Sequence, residues 1–351
     1  MTRGLRLLAL AALGLLIVTS CTRATTTTKP GDVYAAGPTV SDVRTLFGDS
    51  NWWQGPPSFG VRPLDAETTS YTQKFSITQR YIHIGTAEEF LVDYTVFDTT
   101  SSATAQMTNI QNTYGTSPSS PKVGDQVLYY GVAGSGGAPY VTRTFVRLGQ
   151  IVVTIIWSQK DQTANVQLLA RNATKVVDGL KKATAAKARP TPQVIDKKLL
   201  PPPGLDITLL GATQLPIEAW LVMLHVAIPD AALQLLQTAG VTDFVYGDYA
   251  LNGDTHMEVR SSLLSFTTAT AANDWAGTWS TGTPDQSGIA SAYVPLSGNV
   301  EGAGEYHYFF VSGTYGAMLV CRPSIEGEAA SRACEAPLER TAIDWKLALG
   351  G

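Results

Sequence analysis

The chain has 351 residues and a formal net charge of −4, with 15% charged and 44% hydrophobic residues. This length has room for two average domains, and the apolar content is typical of a protein with a buried core. The composition excludes an intrinsically disordered protein, and no basic patch or stripe indicates a nucleic-acid partner.

The N-terminal segment has the layout of an export signal. Arg3 and Arg6 precede an almost unbroken apolar run over residues 7–18, which ends in the sequence VTSC at residues 18–21. A basic start, a short apolar segment and small residues before a cleavage point are typical of secretory signals. The run is too short to span a bilayer comfortably, since a membrane helix needs roughly 20 apolar residues.

VTSC resembles the lipobox of bacterial lipoproteins, which implies that Cys21 becomes the lipidated first residue of the mature chain. The alternatives are an ordinary secretory signal with a chance cysteine and an uncleaved membrane helix. No second long apolar stretch follows Cys21. The prediction is therefore a protein attached to a membrane by its lipid and not crossing it.

Two polar segments divide the chain. Residues 21–35 contain four consecutive threonines and are predicted to form a flexible tether behind the signal peptide of residues 1–20. Residues 185–204 are rich in proline and end in PPPG, which is typical of a semi-rigid linker. The predicted domains are residues 36–184 and residues 205–351.

The first domain has the pattern of a sheet accompanied by helices. Alternating apolar residues indicate strands, and helical spacing indicates two helices, the first ended by Gly115. The predicted order is a strand at residues 90–97, a helix at 101–114, strands at 127–130, 140–147 and 150–157, and a closing amphipathic helix with Leu169, Ala173, Val176, Val177 and Leu180 on its apolar face.

The second domain repeats this order. The repetition predicts two α+β domains related by duplication, each an antiparallel sheet with helices packed mainly on one face. The alternative is two unrelated α+β domains that look alike at this level of detail. After lead-in helices at residues 216–228 and 231–238, the predicted elements are strands at 244–251 and 256–266, a helix at 268–279, strands at 291–295, 306–311 and 317–321, and a helix from about residue 328.

A hairpin is predicted between the first two strands of that domain. The strand over residues 244–251 runs into Asn-Gly at residues 252–253, which is a strong signal for a two-residue turn. Such a turn places Asp248 opposite Met257. Asp248 and Glu258 then lie on opposite faces of the sheet.

The densest polar cluster surrounds this hairpin. Carboxylates and imidazole suit zinc or manganese, but the predicted register separates Asp248 from the other members. We therefore interpret the cluster as a hydrated sheet face beside a turn and predict no metal site. Its members are Asp243, Asp248, Asp254, His256 and Glu258.

Motifs of known enzyme classes are also missing from the sequence. It contains no Gly-x-Ser-x-Gly nucleophile elbow, and GSGG at residues 134–137 is followed by no Lys-Ser/Thr pair. His83, His225 and His307 are isolated, and His83 alternates with isoleucines, which predicts a solvent-facing strand position. These observations predict a protein without catalytic residues or cofactor.

Two cysteines remain once Cys21 is assigned to the lipid. Cys321 and Cys334 in an exported chain predict a disulfide bond. Two free thiols in a reducing environment are the alternative.

Aromatic side chains are the candidate ligand contacts. One group lies in a segment rich in proline and glycine, and the other lies on the terminal hairpin of the second domain. Rings in such places line a ligand groove or pack as part of the core. The residues predicted to contact a ligand are Trp52, Trp53, Phe59, Tyr306 and Tyr308.

Two sequence stretches carry a family resemblance. VGDQV at residues 123–127 and FVRLGQIVV at residues 145–153, followed by a closing helix, are similar to the ends of small domains in exported lipoproteins of actinobacterial type. Those domains resemble the PsbP-like α+β sandwich, and the shared motifs are an aspartate-stabilised turn and a glycine hairpin. The resemblance implies a binding or scaffold role at the envelope, and no catalytic residues.

The sequence thus predicts a lipoprotein outside the cytoplasm, anchored to the bacterial cell membrane through an acyl group such as palmitate on Cys21. The expected role is non-catalytic binding or scaffolding at the cell envelope, with an envelope protein or a small apolar ligand as partner. Two alternatives remain. One is a ligand-binding sensor or transport accessory that uses the inter-domain cleft, and the other is an envelope hydrolase.

Overall fold

The computed structural model describes the parts of the chain that can be placed. Cys21 and the whole signal segment lie outside the described residues, as do His225, Asp254 and His256. No helix among the described residues is long and apolar enough to cross a membrane. The described ranges are 28–60, 73–86, 88–118, 121–132, 140–159, 166–184, 195–202, 204, 206–224, 229–252, 257–279, 282–295, 304–323 and 332–350.

The described residues form two antiparallel sheets with helices packed against them, so the predicted α+β class is confirmed. The sheet of the first half has seven strands and that of the second half has six. The first half contains α1 (Pro30–Tyr34), α2 (Val40–Phe47), β1 (Trp52–Gln54), β2 (Ser58–Gly60), β3 (Gln73–His83), β4 (Glu89–Phe97), α3 (Thr100–Tyr114), β5 (Gln126–Val132), β6 (Tyr140–Leu148), β7 (Ile151–Gln159) and α4 (Val166–Thr184).

The second half adds two helices between its first two strands. Short 3-10 turns precede β8 and α8, at Lys197–Leu199 and Arg332–Cys334. The elements are β8 (Ile207–Pro216), α5 (Ile217–Met223), α6 (Pro229–Thr238), β9 (Val241–Leu251), β10 (Met257–Phe266), α7 (Ala269–Trp279), β11 (Ile289–Pro295), β12 (Gly304–Ser312), β13 (Tyr315–Pro323) and α8 (Glu335–Ala348).

The two sheets share one strand order, as the repeated sequence pattern predicts. The first contains the run β3-β4-β7-β6-β5, and the second contains the matching run β9-β10-β13-β12-β11. In each half one helix connects the second and third strands of this run in chain order, and another helix follows the last strand. The predicted disulfide between Cys321 and Cys334 is present and joins β13 to the turn before α8.

Local sequence explains where α3 begins and ends. The Thr99 hydroxyl accepts a hydrogen bond from the backbone N–H of Ser102 at 3.0 Å, which caps the first turn. Gly115 follows the last turn with a φ of 84°, a conformation that favours glycine. Ala103, Met107 and Ile110 share the buried face. The apolar residues at helical spacing in the sequence are therefore the ones that pack in the core.

Several elements differ from those predicted. The aromatic segment expected to be a loop contains β1 and β2, which pair with β3, and β8 pairs with β9 at the edge of the second sheet. The first lead-in helix, α5, ends at Met223, and the closing helix α8 begins at Glu335. These short elements depend on partners distant in sequence, which local periodicity does not reveal.

The predicted hairpin register between β9 and β10 is wrong. Asp248 pairs with Arg260, not with Met257. The shift is an odd number of residues, and side chains alternate along a strand, so the faces are exchanged. Asp248 therefore lies on the same face as Glu258.

Asn252 continues the contact between β9 and β8. Its backbone N–H donates to the carbonyl of Asp206 at 2.8 Å, and its side-chain oxygen accepts from the Thr208 hydroxyl at 2.6 Å. Asn252 thus belongs to the contact with the start of β8, whereas the sequence pattern predicts only a turn residue.

His83 is buried, which corrects the predicted solvent-facing position. Its Nε2 lies 2.9 Å from the Asp49 carboxylate, and its Nδ1 accepts from the backbone N–H of Gly85 at 3.1 Å. The ring packs edge-on against Trp52 with centroids 5.3 Å apart. Helix α2 and strand β1, which the sequence pattern did not reveal, cover this end of β3.

The two halves pack against each other. Ile82 of β3 belongs to the same apolar cluster as Ile217 and Leu221 of α5. The Thr213 hydroxyl on β8 donates to the carbonyl of Gln54 on β1 at 2.7 Å. Both apolar and polar contacts therefore connect the sheets, and a cleft lies beside this contact.

Candidate functional site

A cleft of about 510 Å³ lies between the two sheets. We call it the inter-sheet cleft. Its volume is within the range of small-molecule sites, which are concave and mostly apolar with a few polar groups. The first half lines it with Pro56, Pro57, Ser58, Thr78, Arg80, Glu89 and Leu91, and the second half lines it with Trp220, Met223, Leu224, Phe244, Tyr246 and Arg260.

An aromatic stack forms one wall of the inter-sheet cleft. The rings of Trp220 and Phe244 are nearly parallel, with centroids 4.9 Å apart and an interplanar angle of 9°. Trp220 and Met223 are three apart on α5, so both side chains face the same way. Phe244 and Tyr246 alternate with Val245 along β9 and share a face. Helical and strand periodicity thus bring the apolar side chains of the cleft together.

A smaller apolar pocket of about 150 Å³ adjoins the inter-sheet cleft at this stack. We call it the apolar pocket. Trp220 and Phe244 line both cavities. The remaining lining is almost entirely apolar and consists of Ser262, Leu264, Trp275, Phe309, Gly316 and Met318.

A buried carboxylate lies beside the inter-sheet cleft and holds both halves. Glu258 is 0% exposed. Its carboxylate accepts a hydrogen bond from the backbone N–H of Phe59 at 2.9 Å and from Arg322 Nε at 2.7 Å. It also forms an ion pair with Arg260 at 3.0 Å. Glu258 therefore receives one donor from the first half and two guanidiniums from its own sheet.

The pKa values of Asp248 and Glu258 shift in opposite directions in this buried site. Burial and the negative charge of Glu258 raise the pKa of Asp248 well above its usual value. Burial also opposes ionisation of Glu258, but the charges of Arg260 and Arg322 outweigh it and lower its pKa. The surroundings thus favour the neutral form of Asp248 and the charged form of Glu258. Neither residue is among those that line the inter-sheet cleft.

Arg260 connects the buried carboxylate to the cleft. Its guanidinium carries five N–H donors, and the Glu258 carboxylate is its ion-pair partner. Its Nε is buried and has no hydrogen-bond partner among the described residues. The side chain is 23% exposed and lines the inter-sheet cleft, so one residue contacts both the buried carboxylate and the cleft.

None of the three rings predicted as ligand contacts in the tryptophan segment lines the inter-sheet cleft. Trp52 and Phe59 are buried, at 1% and 2% exposed. Trp53 is half-buried and lies under the guanidinium of Arg44, 4.9 Å from the ring centroid. The segment meets the cleft through Pro56, Pro57 and Ser58, and the ligand role of its three rings stays a prediction.

Tyr306 and Tyr308 lie together at a separate cavity of about 330 Å³ on the second half. Tyr293 and His307 also line it. The Tyr308 hydroxyl donates to the carbonyl of Glu335 at 3.0 Å, which ties β12 to α8. The structure therefore does not bring Tyr306 and Tyr308 together with the tryptophan segment, and their ligand role also stays a prediction.

No group of three or more His, Cys, Asp or Glu side chains converges as a metal site within the described residues. Asp254 and His256, which belong to the predicted polar cluster, lie outside that part of the chain. Of the other members, Asp243 pairs with Ser265 in the β9–β10 ladder. Asp248 and Glu258 are 0% exposed, so the predicted hydrated sheet face is wrong for these two, and Glu258 forms ion pairs with Arg260 and Arg322.

Sequence reasoning missed Arg80, Trp220, Phe244 and Arg260 as residues of one site. One signal was present in the sequence. Glu258, Arg260 and Ser262 are alternate residues of a predicted strand, so a charged and polar run shares a face with Leu264. A polar run on one face of a central strand indicates a buried polar contact or a site.

No protein-family model and no curated protein sequence matches this chain. Among solved structures, the extracellular domain of PknH from Mycobacterium tuberculosis is similar at 14% identity, covering 44% of this chain and 97% of that domain, with a TM-score of 0.35. DynU16, from the dynemicin biosynthetic locus, is similar at 10% identity, covering 86% of this chain and 97% of that protein, with a TM-score of 0.14. Likenesses this weak say nothing about the site.

Proposed function

We propose that this protein is a lipid-anchored extracytoplasmic binding protein that holds a small, largely apolar molecule in the inter-sheet cleft. The observation that carries the proposal is the cleft itself, since two halves of one chain meet there around an aromatic wall. Apolar side chains give such a site its affinity, and a few polar groups orient the ligand. The polar groups here are those of Ser58, Thr78, Arg260 and the Arg80–Glu89 ion pair.

The contact between the halves supports binding without catalysis. Glu89 is the carboxyl group that lines the cleft, and it forms an ion pair with Arg80. Asp248 and Glu258 do not line the cleft and are 0% exposed. A general acid or base must come within hydrogen-bond reach of its substrate. Glu258 instead accepts its hydrogen bonds from Phe59 and Arg322, a role that fixes the shape of the cleft.

Location at the envelope is supported by the sequence and the disulfide. The signal layout and the VTSC motif favour export and lipidation of Cys21. The bond between Cys321 and Cys334 suits an oxidising compartment, where disulfides persist. Radiolabelled palmitate should enter the full chain and should be lost in Cys21→Ala. Equal labelling of that variant would contradict the anchor.

The binding function is tested by identifying the small molecules that co-purify with the protein. The full chain is purified from membranes, extracted with organic solvent and analysed by mass spectrometry for bound small molecules. We expect one dominant molecule in the wild type. Trp220→Ala removes a large ring contact and should lower its yield about tenfold or more, as expected for a buried aromatic anchor.

Leu347→Ala is the matched control for this experiment. Leu347 is 63% exposed on α8, away from the cleft, so its truncation should leave the yield unchanged. A wild-type chain that carries no molecule, or an equal yield from both variants, would contradict binding in the inter-sheet cleft.

A further inference from the structure

We propose that the inter-sheet cleft and the apolar pocket form one elongated site for a single-chain anionic amphiphile, with its carboxylate at Arg260 and its alkyl chain in the apolar pocket. This inference rests on the proposed function and specifies the class of ligand. The two cavities share the Trp220–Phe244 stack.

The polar end of the site is set by Arg260. Its guanidinium forms an ion pair with the Glu258 carboxylate, and the side chain lines the inter-sheet cleft. Burial and the charge of Glu258 raise the pKa of Asp248 on the same face, which favours its neutral form. A planar guanidinium has five N–H donors, more than one carboxylate uses, and fits a second carboxylate in two-point geometry.

The apolar end of the site is set by the next residues of the same strand. Arg260, Ser262 and Leu264 alternate along one face of β10, and the last two line the apolar pocket. Met318 lies beside Ser262 on β13. Arg260 and Leu264 are therefore about 13 Å apart along the strand, from a rise of ~3.3 Å per residue.

A ligand that fits this site must have a charged group at one end and an apolar group at the other. A charged group gains nothing in the apolar pocket, since burying a charge without a partner is strongly unfavourable. A purely apolar ligand leaves the guanidinium of Arg260 desolvated without a new partner. A medium-length alkyl chain that ends in a carboxylate satisfies both, and lauric acid is a suitable probe.

Photo-crosslinking tests this arrangement in membranes that contain the full chain. One probe is dodecanoic acid with a diazirine near the end of its chain, and the other is dodecylamine with the same diazirine. We expect the acid to label residues of β10 and β13, with competition by excess lauric acid. We expect the amine to label them about tenfold less or weaker still, because its charge is repelled by Arg260.

Two variants locate the two ends of the ligand. Arg260→Met should lower labelling by the acid about tenfold or more, since a charged hydrogen bond is lost. Met318→Trp fills the apolar pocket without changing any charge and should abolish labelling of β10 and β13. Arg340→Met is the control, because Arg340 pairs with Asp206 on the exposed surface, and it should label as the wild type does.

Arg260→Met also removes a partner of buried Glu258, so folding is checked by urea unfolding and by the presence of the Cys321–Cys334 bond. If that variant fails to fold, Met318→Trp and the comparison of the two probes decide the question. Equal labelling by the acid and the amine, or labelling by the acid outside the apolar pocket, would overturn the inference. If the chain co-purifies with another molecule but is labelled by neither probe, the proposed function stands and the inference of an anionic amphiphile fails.

Discussion

The two sheets bury carboxyl groups in equivalent strands but surround them differently. β4 and β10 occupy the same place in the shared strand order. In β4, Asp93 accepts from the hydroxyls of Thr78 at 2.7 Å and Thr95 at 3.0 Å, all within one sheet. In β10, Glu258 is held by arginines and by the backbone of the other half.

The two sheets therefore differ in the partners of these carboxylates. Asp93 accepts from two hydroxyls of its own sheet. Glu258 binds charged partners, and one of them, Arg260, also borders the inter-sheet cleft. The shared strand order thus gives two similar sheets, and in the second one a guanidinium partner of the buried carboxylate also lines a cleft.

Removing the charge of Glu258 tests this comparison most strongly. Glu258→Gln leaves two guanidiniums without their carboxylate, and the free energy of unfolding should fall by about 3–5 kcal/mol in urea titrations. Asp93→Asn is the matched control. Its amide oxygen still accepts from hydroxyls, so we expect a loss of about 1 kcal/mol. Equal losses would show that the two carboxylates are held in the same way.

The disulfide is a second difference between the halves. Cys321–Cys334 joins β13 to the start of α8, whereas no cysteine is present between Cys21 and Cys321 to join β7 to α4. Replacing both cysteines by alanine should lower the free energy of unfolding by about 3 kcal/mol, through the entropy of the unfolded chain. A reducing agent should destabilise the wild type similarly and leave the variant unaffected. An unchanged wild type under reduction would contradict this estimate.

The protonation of Asp248 should appear as a pH dependence of stability. Because its pKa is raised in the folded chain, the folded state binds more protons than the unfolded state above the ordinary aspartate pKa of about 3.9. Wild-type stability therefore falls as pH rises through that window, by up to about 1.4 kcal/mol per pH unit. The Asp248→Asn side chain cannot titrate. The free energy of unfolding of this variant should therefore rise relative to that of the wild type from about pH 4 upward.

Asp98→Asn should show the opposite pH dependence of stability in the same experiment. The Ser102 hydroxyl donates to Asp98, and this hydrogen bond lowers the pKa of Asp98. Wild-type chain should therefore lose stability relative to that variant as pH falls, not as it rises. A difference between Asp248→Asn and the wild type that is constant with pH would show that Asp248 is ionised in both states.

The smallest expected effect concerns the uncharged contact between the halves. Thr213→Val removes the hydroxyl that donates to Gln54 at 2.7 Å. We expect a loss of about 1 kcal/mol in the free energy of unfolding, and unchanged labelling by the acid probe. A loss as large as that of Glu258→Gln would show that the sheets are held mainly by neutral hydrogen bonds.

Local sequence patterns predicted the elements whose partners are close along the chain. Helix α3 has both its helical spacing and its terminal Gly115 in one stretch. The β6–β7 hairpin turns at Gly149, whose backbone N–H donates to the Asp125 carboxylate at 2.7 Å. In such cases the pattern and the packing use the same few residues.

The candidate site could not be predicted in this way because its contacts cross the chain. Asn252 looked like a turn residue, but Asp206 and Thr208 hold it beside β8. That error in register placed Asp248 and Glu258 on opposite faces. The aromatic contacts were sought among conspicuous rings such as Trp52, which the structure packs in the core. The aromatic residues that line the inter-sheet cleft, Trp220, Phe244 and Tyr246, are members of a predicted helix and a predicted strand and carry no motif that marks them.

The hydrogen bond from Phe59 to Glu258 joins residues 199 positions apart in the sequence. As the chain is made from its N-terminus, β2 exists long before its carboxylate partner has been synthesised. A chain cut short before β10 therefore lacks both the carboxylate that accepts from Phe59 and the Arg260 side chain that lines the inter-sheet cleft.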